Sequence, residues 1–338
     1  MSNVLRHFRV LVADGDVEIA RVLRSALHTM GFEQVQVIRS GKEAFDAIQN
    51  EAVDFLITEW NTQHMDGVKL VEQIRKDPSS KRPTLPIIML TGRAEQSDVT
   101  AARDAGVNEY VVKPFSPKSI YNRLERLIEK PRPFVLSQDF VGPCRRHVGT
   151  PPPGVKDRRK TVVIPKLQPM DVSKALRTNA SARIWLPDFS LKHKLGVSIT
   201  LQSLITPEVL DAAQSAIDAI ADESKQWVKE DLNQLKALVA QLQPGQHKPA
   251  EIESISNLAL SINARAGTFG YSRAAEIAYM LHVFVRSTKV PLSVERRTVI
   301  VKHVEVLRVI LGNDLRGDAG AMGLQIANEL RRLVQKNQ

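Results

Sequence analysis

The sequence is short of several things, and each absence removes a class of function. One cysteine, Cys144, occurs in 338 residues. It cannot form an internal disulfide, and it leaves no thiolate cluster for a structural zinc site. No run of about 18 apolar residues exists, so no transmembrane helix is expected. The first residues carry acids directly after their apolar run and no small-residue cleavage site, so they do not read as a secretory signal. The expected compartment is reducing and cytoplasmic. No lysine follows a glycine run, so no phosphate-cradling nucleotide loop is present. The polar stretch 313–320 alternates acids, but no glutamate closes a calcium loop at the required spacing.

The chain is long enough for two or three domains, and 43% hydrophobic against 25% charged residues is ordinary for a folded protein. The net charge of +10 is concentrated. Residues 1–130 hold 18 basic and 18 acidic residues, whereas 131–180 hold 10 and 3. The high isoelectric point is therefore a property of one short stretch. That stretch is also rich in proline, and 131–205 reads as a basic linker with one short extended piece at 162–164. Its charges, at Arg145-Arg146 and 156–160, have no interleaved aromatics, so nucleic acid is not the expected partner.

Residues 1–130 alternate short apolar runs with amphipathic ones. Strands are expected at 8–13, 35–38, 55–58, 87–90 and 110–112, and helices at about 17–30, 41–50, 67–76, 96–105 and 117–129. Five βα units give a doubly wound α/β domain with a five-stranded parallel sheet. Its site belongs at the carboxyl ends of the strands. There the sequence gathers Asp14, Gly15 and Asp16 after the first strand, Glu59 after the third, Thr91 after the fourth and Lys113 after the fifth. Carboxylates, a hydroxyl and a lysine at one sheet edge suit an anion held near a hard cation.

From Thr206 the chain turns helical. Thr206-Pro207 is a cap followed by proline at the first helical position, and a breaker-free pattern runs to Gln243, with a break expected near 222–224. Further helices fit 250–266, 271–287, 293–312 and 319–336, so 206–338 reads as a separate all-α antiparallel bundle.

The motifs LVADGD, TEWNTQHMDG, IIMLTG and YVVKPF occur in the order and spacing of a response-regulator receiver domain, which residues 8–129 resemble. The resemblance implies a flavodoxin-like fold and a phosphoryl group taken from a histidine onto an aspartate after the third strand. An acidic pair after the first strand binds Mg²⁺ in that family. By the same resemblance Asp14 is the first acid of the pair, Thr91 the switch hydroxyl and Tyr110 the switch aromatic. Lys113 contacts phosphoryl oxygens, before a bond to Pro114 that the family usually holds cis. Two positions depart from the pattern. The acceptor position is Glu59, and the second acid is Gly15. One extra methylene misplaces the carboxylate by more than about 1 Å, which can cost about 100-fold in rate. The loss of a metal carboxylate leaves Asp14 with weak Mg²⁺ binding or none, with Asp16 only a partial substitute. Three readings stay open: a decayed pocket, a permanent mimic of the phosphorylated state through Glu59 and Lys113, or phosphorylation of Glu59.

The stretch 261–278 is similar to histidine phosphotransfer domains, whose four-helix bundle carries the phosphoryl group on a histidine three residues before a lysine. The glycine-rich turn matches at Gly267 to Tyr271, with Gly267 and Gly270 in its glycine positions. The histidine position falls on Leu260 and the lysine position on Asn263. His282 and His303 read as structural residues of amphipathic helices. Together the two resemblances imply a non-enzymatic regulator or adaptor in a two-component phosphorelay: a pseudo-receiver that binds a histidine kinase, receiver or phosphotransfer protein. An active relay component phosphorylated on Glu59 or a noncanonical histidine is the first alternative. A nucleic-acid-binding output regulator is the second.

Overall fold

The structure is a computed structural model of the full chain and describes residues 4–137, 140–144, 160–161, 183–185, 189–243, 248–287 and 292–336. The chain divides into two compact units, one of residues 1–112 and 117–216, the other of residues 113–116 and 217–338.

The first unit is built on a five-stranded parallel sheet. Its strands are β1 (Arg9–Ala13), β2 (Gln34–Ile38), β3 (Phe55–Thr58), β4 (Ile87–Thr91) and β5 (Glu109–Val112), in the order β2-β1-β3-β4-β5. The helices between and after them are α1 (Val17–Thr29), α2 (Gly41–Asn50), α3 (Gly67–Lys76), α4 (Gln96–Ala105) and α5 (Pro117–Glu129). Every residue of β3 and β4 is buried, whereas edge strand β2 is half exposed. That is why the central strands read as unbroken apolar runs without polar alternation. On one face Phe8, Phe32 and Phe55 pack edge to face, with ring centroids 6.0 and 5.8 Å apart. The other face is closed by Ala44, Ile48, Leu70, Val71, Ile74 and Ala102 from α2, α3 and α4.

Capping side chains start the helices at the carboxyl edge. Asp16 caps α1, Ser40 caps α2 and Asp66 caps α3, each accepting from backbone N–H groups of the first turn. Gly106 ends α4 in the left-handed conformation.

The segment expected as a linker contains ordered structure. It supplies β6 (Phe134–Leu136), β7 (Val141–Pro143), β8 (Lys160–Thr161) and β9 (Arg183–Trp185), which form a small mixed sheet in the order β7-β6-β9-β8. It also supplies α6 (Ser190–Leu195) and α7 (Leu201–Leu204). The reason lies in a few apolar residues between the prolines: Phe134, Leu136, Phe140 and Val141 are buried. Arg75 on α3 anchors this addition. It is fully buried, donates to the carbonyls of Gly106 and Pro83 and to Asn108 Oδ1, and lies over the Phe134 ring. Burial without a carboxylate pulls its guanidinium down to about 9. The basic clusters and the extended piece expected at 162–164 fall outside the described residues, apart from Lys160 in β8.

From Pro207 onward the chain is helical, and the second unit takes over within the first of these helices, at Ile217. The expected long helix is two: α8 (Pro207–Ala219) and α9 (Ala221–Gln241) meet at Ile220, a few residues before the anticipated break. Then come α10 (Pro249–Thr268), α11 (Ser272–Arg286), α12 (Val294–Gly312) and α13 (Gly320–Lys336). Helix α10 packs on α9 and α11, and α12 closes the ring against α11 and α9. Short connections between consecutive helices make them antiparallel neighbours. Helix α13 packs on α12 and α11.

Candidate functional site

The carboxyl edge of the large sheet brings together the strand-end residues singled out in the sequence. Asp14 follows β1, Glu59 follows β3, Thr91 ends β4 and Lys113 follows β5; all four are buried. The Lys113–Pro114 peptide is cis.

Glu59 is 8% exposed. Its amide donates to the Ala13 carbonyl, and its Oε1 accepts from the amide of the next residue, Trp60, at 2.6 Å. The carboxylate thus turns back onto its own loop. The loop closes tightly. Gly67 donates to the Trp60 carbonyl at 2.7 Å, and a Cβ at Gly67 would lie 2.0 Å from the Glu59 carbonyl. Only glycine allows that approach. Opposite, the loop is pinned to the start of α2 by two bonds, from the Gly41 amide to the Gln63 carbonyl and from the Gln63 amide to the Arg39 carbonyl.

Asp14 accepts from the Asp16 amide through Oδ1 at 2.9 Å. The sequence offered Asp16 as a partial replacement for the missing second acid. Instead its Oδ1 accepts from the amides of Glu18 and Ile19, at 3.0 and 3.2 Å, and closes the first turn of α1. The cause is simple: the residue two places after a strand end falls at the helix N-cap, where unpaired amides compete for its oxygen.

The position of the missing acid is itself filled. A Cβ at Gly15 would lie 2.8 Å from the backbone oxygen of Asn61. A backbone carbonyl occupies the approach that a side chain at 15 needs. Arg93, after β4, braces that loop from the other side. It donates to Asn61 Oδ1 at 3.3 Å, lies 4.9 Å above the Trp60 ring, and approaches Asp98 at 3.8 Å. Tyr110 donates its hydroxyl to the Arg93 carbonyl at 2.8 Å, and Thr91 Oγ1 accepts from the Arg93 amide. The expected switch hydroxyl and switch aromatic therefore meet on one residue that sequence reasoning passed over. An arginine two places after the strand-end threonine was the available signal.

Comparison with known proteins decides the family. The response regulator receiver domain model matches residues 10–125. The chain is 30% identical over 125 residues to the chemotaxis protein CheY-3 of Vibrio cholerae, covering 37% of this chain and 95% of that protein. The chain belongs to the response-regulator receiver family. Against the CheY homolog of Campylobacter jejuni it is 36% identical over 121 residues, covering 36% of this chain and 92% of the relative. Among solved structures, a putative response regulator from Chloroflexus aurantiacus shares 32% identity, with a TM-score of 0.34, covering 36% of this chain and 98% of that one. These relatives account for a little over a third of the chain, the receiver domain.

The family implies Mg²⁺ beside the acceptor. The side-chain donors present are fewer than that family's pattern supplies. The second carboxylate is absent, the space for one is closed by Asn61 O, and Asp14 and Asp16 each spend an oxygen on backbone amides. Among the described residues no group of three or more His, Cys, Asp or Glu side chains is arranged to hold a metal. Mg²⁺ needs near-octahedral oxygens and dehydrates reluctantly.

In the helical unit, Leu260 is 5% exposed and Asn263 is buried, with its Nδ2 donating to the Ala275 carbonyl on α11. Gly267 was expected in the turn but is the penultimate residue of α10; the left-handed turn residue is Gly270 alone. That turn is fixed by a bond from the Gly317 amide to the Gly270 carbonyl and another from the Arg273 amide to the Gly317 carbonyl. His282 is buried with Nδ1 2.8 Å from Ser256 Oγ. His303 is buried, bonded through Nδ1 to the Val299 carbonyl, and stacked on Phe284. Among the described residues no helix is long and apolar enough to cross a membrane.

Proposed function

We propose that the chain is a non-catalytic regulator of two-component signalling: a pseudo-receiver joined to a histidine-phosphotransfer-like bundle without its histidine. It binds kinase, receiver or phosphotransfer partners and biases phosphoryl flow by occupying their docking faces. The observation that carries this reading is the closed approach at Gly15, where Asn61 O stands 2.8 Å from the place of a Cβ. A receiver that takes a phosphoryl group needs a metal and an acceptor facing the same space. Here the first has lost a ligand, and the second is a longer carboxylate bonded to Trp60 N. The ring of α9, α10, α11 and α12 supports the phosphotransfer likeness. A buried leucine at the carrier position and two buried histidines leave that bundle without an accessible imidazole among its described residues. Of the three readings of Glu59, the bond to Trp60 N favours a structural carboxylate that fixes its loop.

The test uses the full chain with acetyl phosphate and Mg²⁺, read by intact mass. No phosphoryl adduct is expected on wild type. In parallel, the chain added to a kinase–receiver pair slows transfer in proportion to its concentration, and Glu59→Gln slows it equally. An adduct mapped to Glu59 would overturn the reading. Loss of inhibition in Glu59→Gln would replace the structural role with mimicry.

A further inference from the structure

The amino edge of the large sheet, opposite the acidic pocket, holds a cavity of about 650 Å³. That size suits a small organic ligand. Its walls come from the loops before β3 and β4, the start of β5, the end of α5, the chain leading into β6, and the start of α6. All belong to the first unit.

The charges in these walls are unbalanced. Two of the three lining carboxylates are already matched: Asp54 by Lys194 at 2.5 Å, and Glu109 by Arg123 and Arg126 at 3.4 and 3.7 Å. Glu51 is exposed. Lys192 is matched outside the walls, by Glu129 at 2.7 Å. Three further cations are held in place by backbone carbonyls, one of them, Arg132, also facing the Glu109 carboxylate. Lys81 Nζ donates to the Gln49 carbonyl at 2.9 Å, Arg82 to the Val53 carbonyl at 2.7 Å, and Arg132 to the Asn108 carbonyl. A carbonyl orients a cation without cancelling its charge, so these groups are preorganised and still positive. Lys130 adds a fourth, exposed at the rim. In the wall, Gln49 is fixed by the Lys81 amide through Oε1, and its buried Nε2 donor has no hydrogen-bond partner among the described residues.

The remaining wall is apolar. Leu127, Phe134 and Leu191 are buried, and Phe189 stands at the mouth, 45% exposed, with its backbone in the left-handed region. An exposed aromatic in a strained conformation beside fixed cations has the stacking face and the charge that a base and a phosphate need.

We propose that this cavity binds a nucleoside phosphate, with Lys81, Arg82, Lys130 and Arg132 around its phosphate and Phe189 against its base. The ligand joins the receiver sheet to the segment after it, independently of any phosphoryl transfer at the other edge.

The test is calorimetric titration of the full chain with AMP, ATP, adenosine and inorganic phosphate. AMP and ATP are expected to saturate well below about 1 mM, ATP more tightly, with adenosine and inorganic phosphate each at least about tenfold weaker than AMP. Lys130→Glu changes an exposed side chain and leaves the fold intact; it is expected to weaken AMP about tenfold. Phe189→Ala is expected to weaken AMP about fivefold and leave inorganic phosphate unchanged. Lys69→Gln, on the far side at α3, serves as the unaffected control. No saturation by either nucleotide below about 1 mM overturns the proposal. So does adenosine or phosphate binding as tightly as AMP, or AMP affinity unchanged in both Lys130→Glu and Phe189→Ala.

Discussion

Gly15→Ala tests the closed pocket most directly. The alanine Cβ would stand 2.8 Å from Asn61 O, whereas carbon–oxygen contacts settle at about 3.3 Å or more. The carbonyl must therefore retreat by roughly 0.5 Å. It cannot do so alone. Asn61 belongs to a loop held by Gly67 N on Trp60 O, by Gln63 on Arg39, and by Arg93 over Trp60. Overpacking a constrained site costs about 1–3 kcal/mol. Gly15 is not among the positive-φ glycines, so alanine suits the backbone and regains about 0.4–1 kcal/mol through the unfolded state. The net expectation is centred on about 1.3 kcal/mol of local destabilisation. It is read by hydrogen exchange at the Gly67 amide in the full chain, where about 1.4 kcal/mol is a tenfold loss of protection. Gly15→Asp adds the family's second acid with the same clash. Saturating Mg²⁺ is expected to recover part of its loss, through binding to the folded state alone, and to leave Gly15→Ala unchanged. Unchanged or increased protection in Gly15→Ala would refute the closed-pocket argument. So would wild-type Mg²⁺ affinity equal to that of Gly15→Asp.

Three further outcomes are expected. Arg75→Met removes the donor to Gly106, Pro83 and Asn108 and leaves their oxygens buried, for a loss of about 3–5 kcal/mol in urea unfolding of the receiver; Arg75→Lys, one point charge in place of a fork, recovers less than half. Burial holds the His303 imidazole below its ordinary value, against the opposing pull of its bond to Val299, so the folded state binds fewer protons than the unfolded one. The bundle then keeps this stability above about pH 6.5 and loses it as pH falls below, and His303→Leu flattens the dependence of the urea midpoint between about pH 7.5 and 5. Leu260→His restores the carrier residue in a buried place. It is expected to destabilise the bundle by about 2 kcal/mol and to acquire no acid-labile phosphate from a phosphorylated receiver; stable labelling at position 260 would contradict the burial argument.

The sequence alone determined what repeats locally. The βα alternation, the five strands, helices α1 to α5 and helices α10 to α13 stand within a residue or two of their apolar periods, because burial of one face imposes those periods before any tertiary contact is known. The residues at the strand ends were legible for the same reason: β1, β3, β4 and β5 carry Asp14, Glu59, Thr91 and Lys113 to one edge by topology alone. The two departures from the receiver pattern, at Gly15 and Glu59, needed only the residue names. Tertiary structure decided what these residues do. Asp16 is a cap because α1 begins at Val17, and Glu59 folds onto Trp60 because Gly67 draws the loop closed. Asn61 O fills the space beside Gly15 through a backbone contact 46 residues away in sequence, which no local pattern encodes. The order after Pro133 was hidden for a related reason. Its strands are three residues or fewer, too short to show a period, and β6, at their centre, is held to the receiver by Phe134 against the buried Arg75.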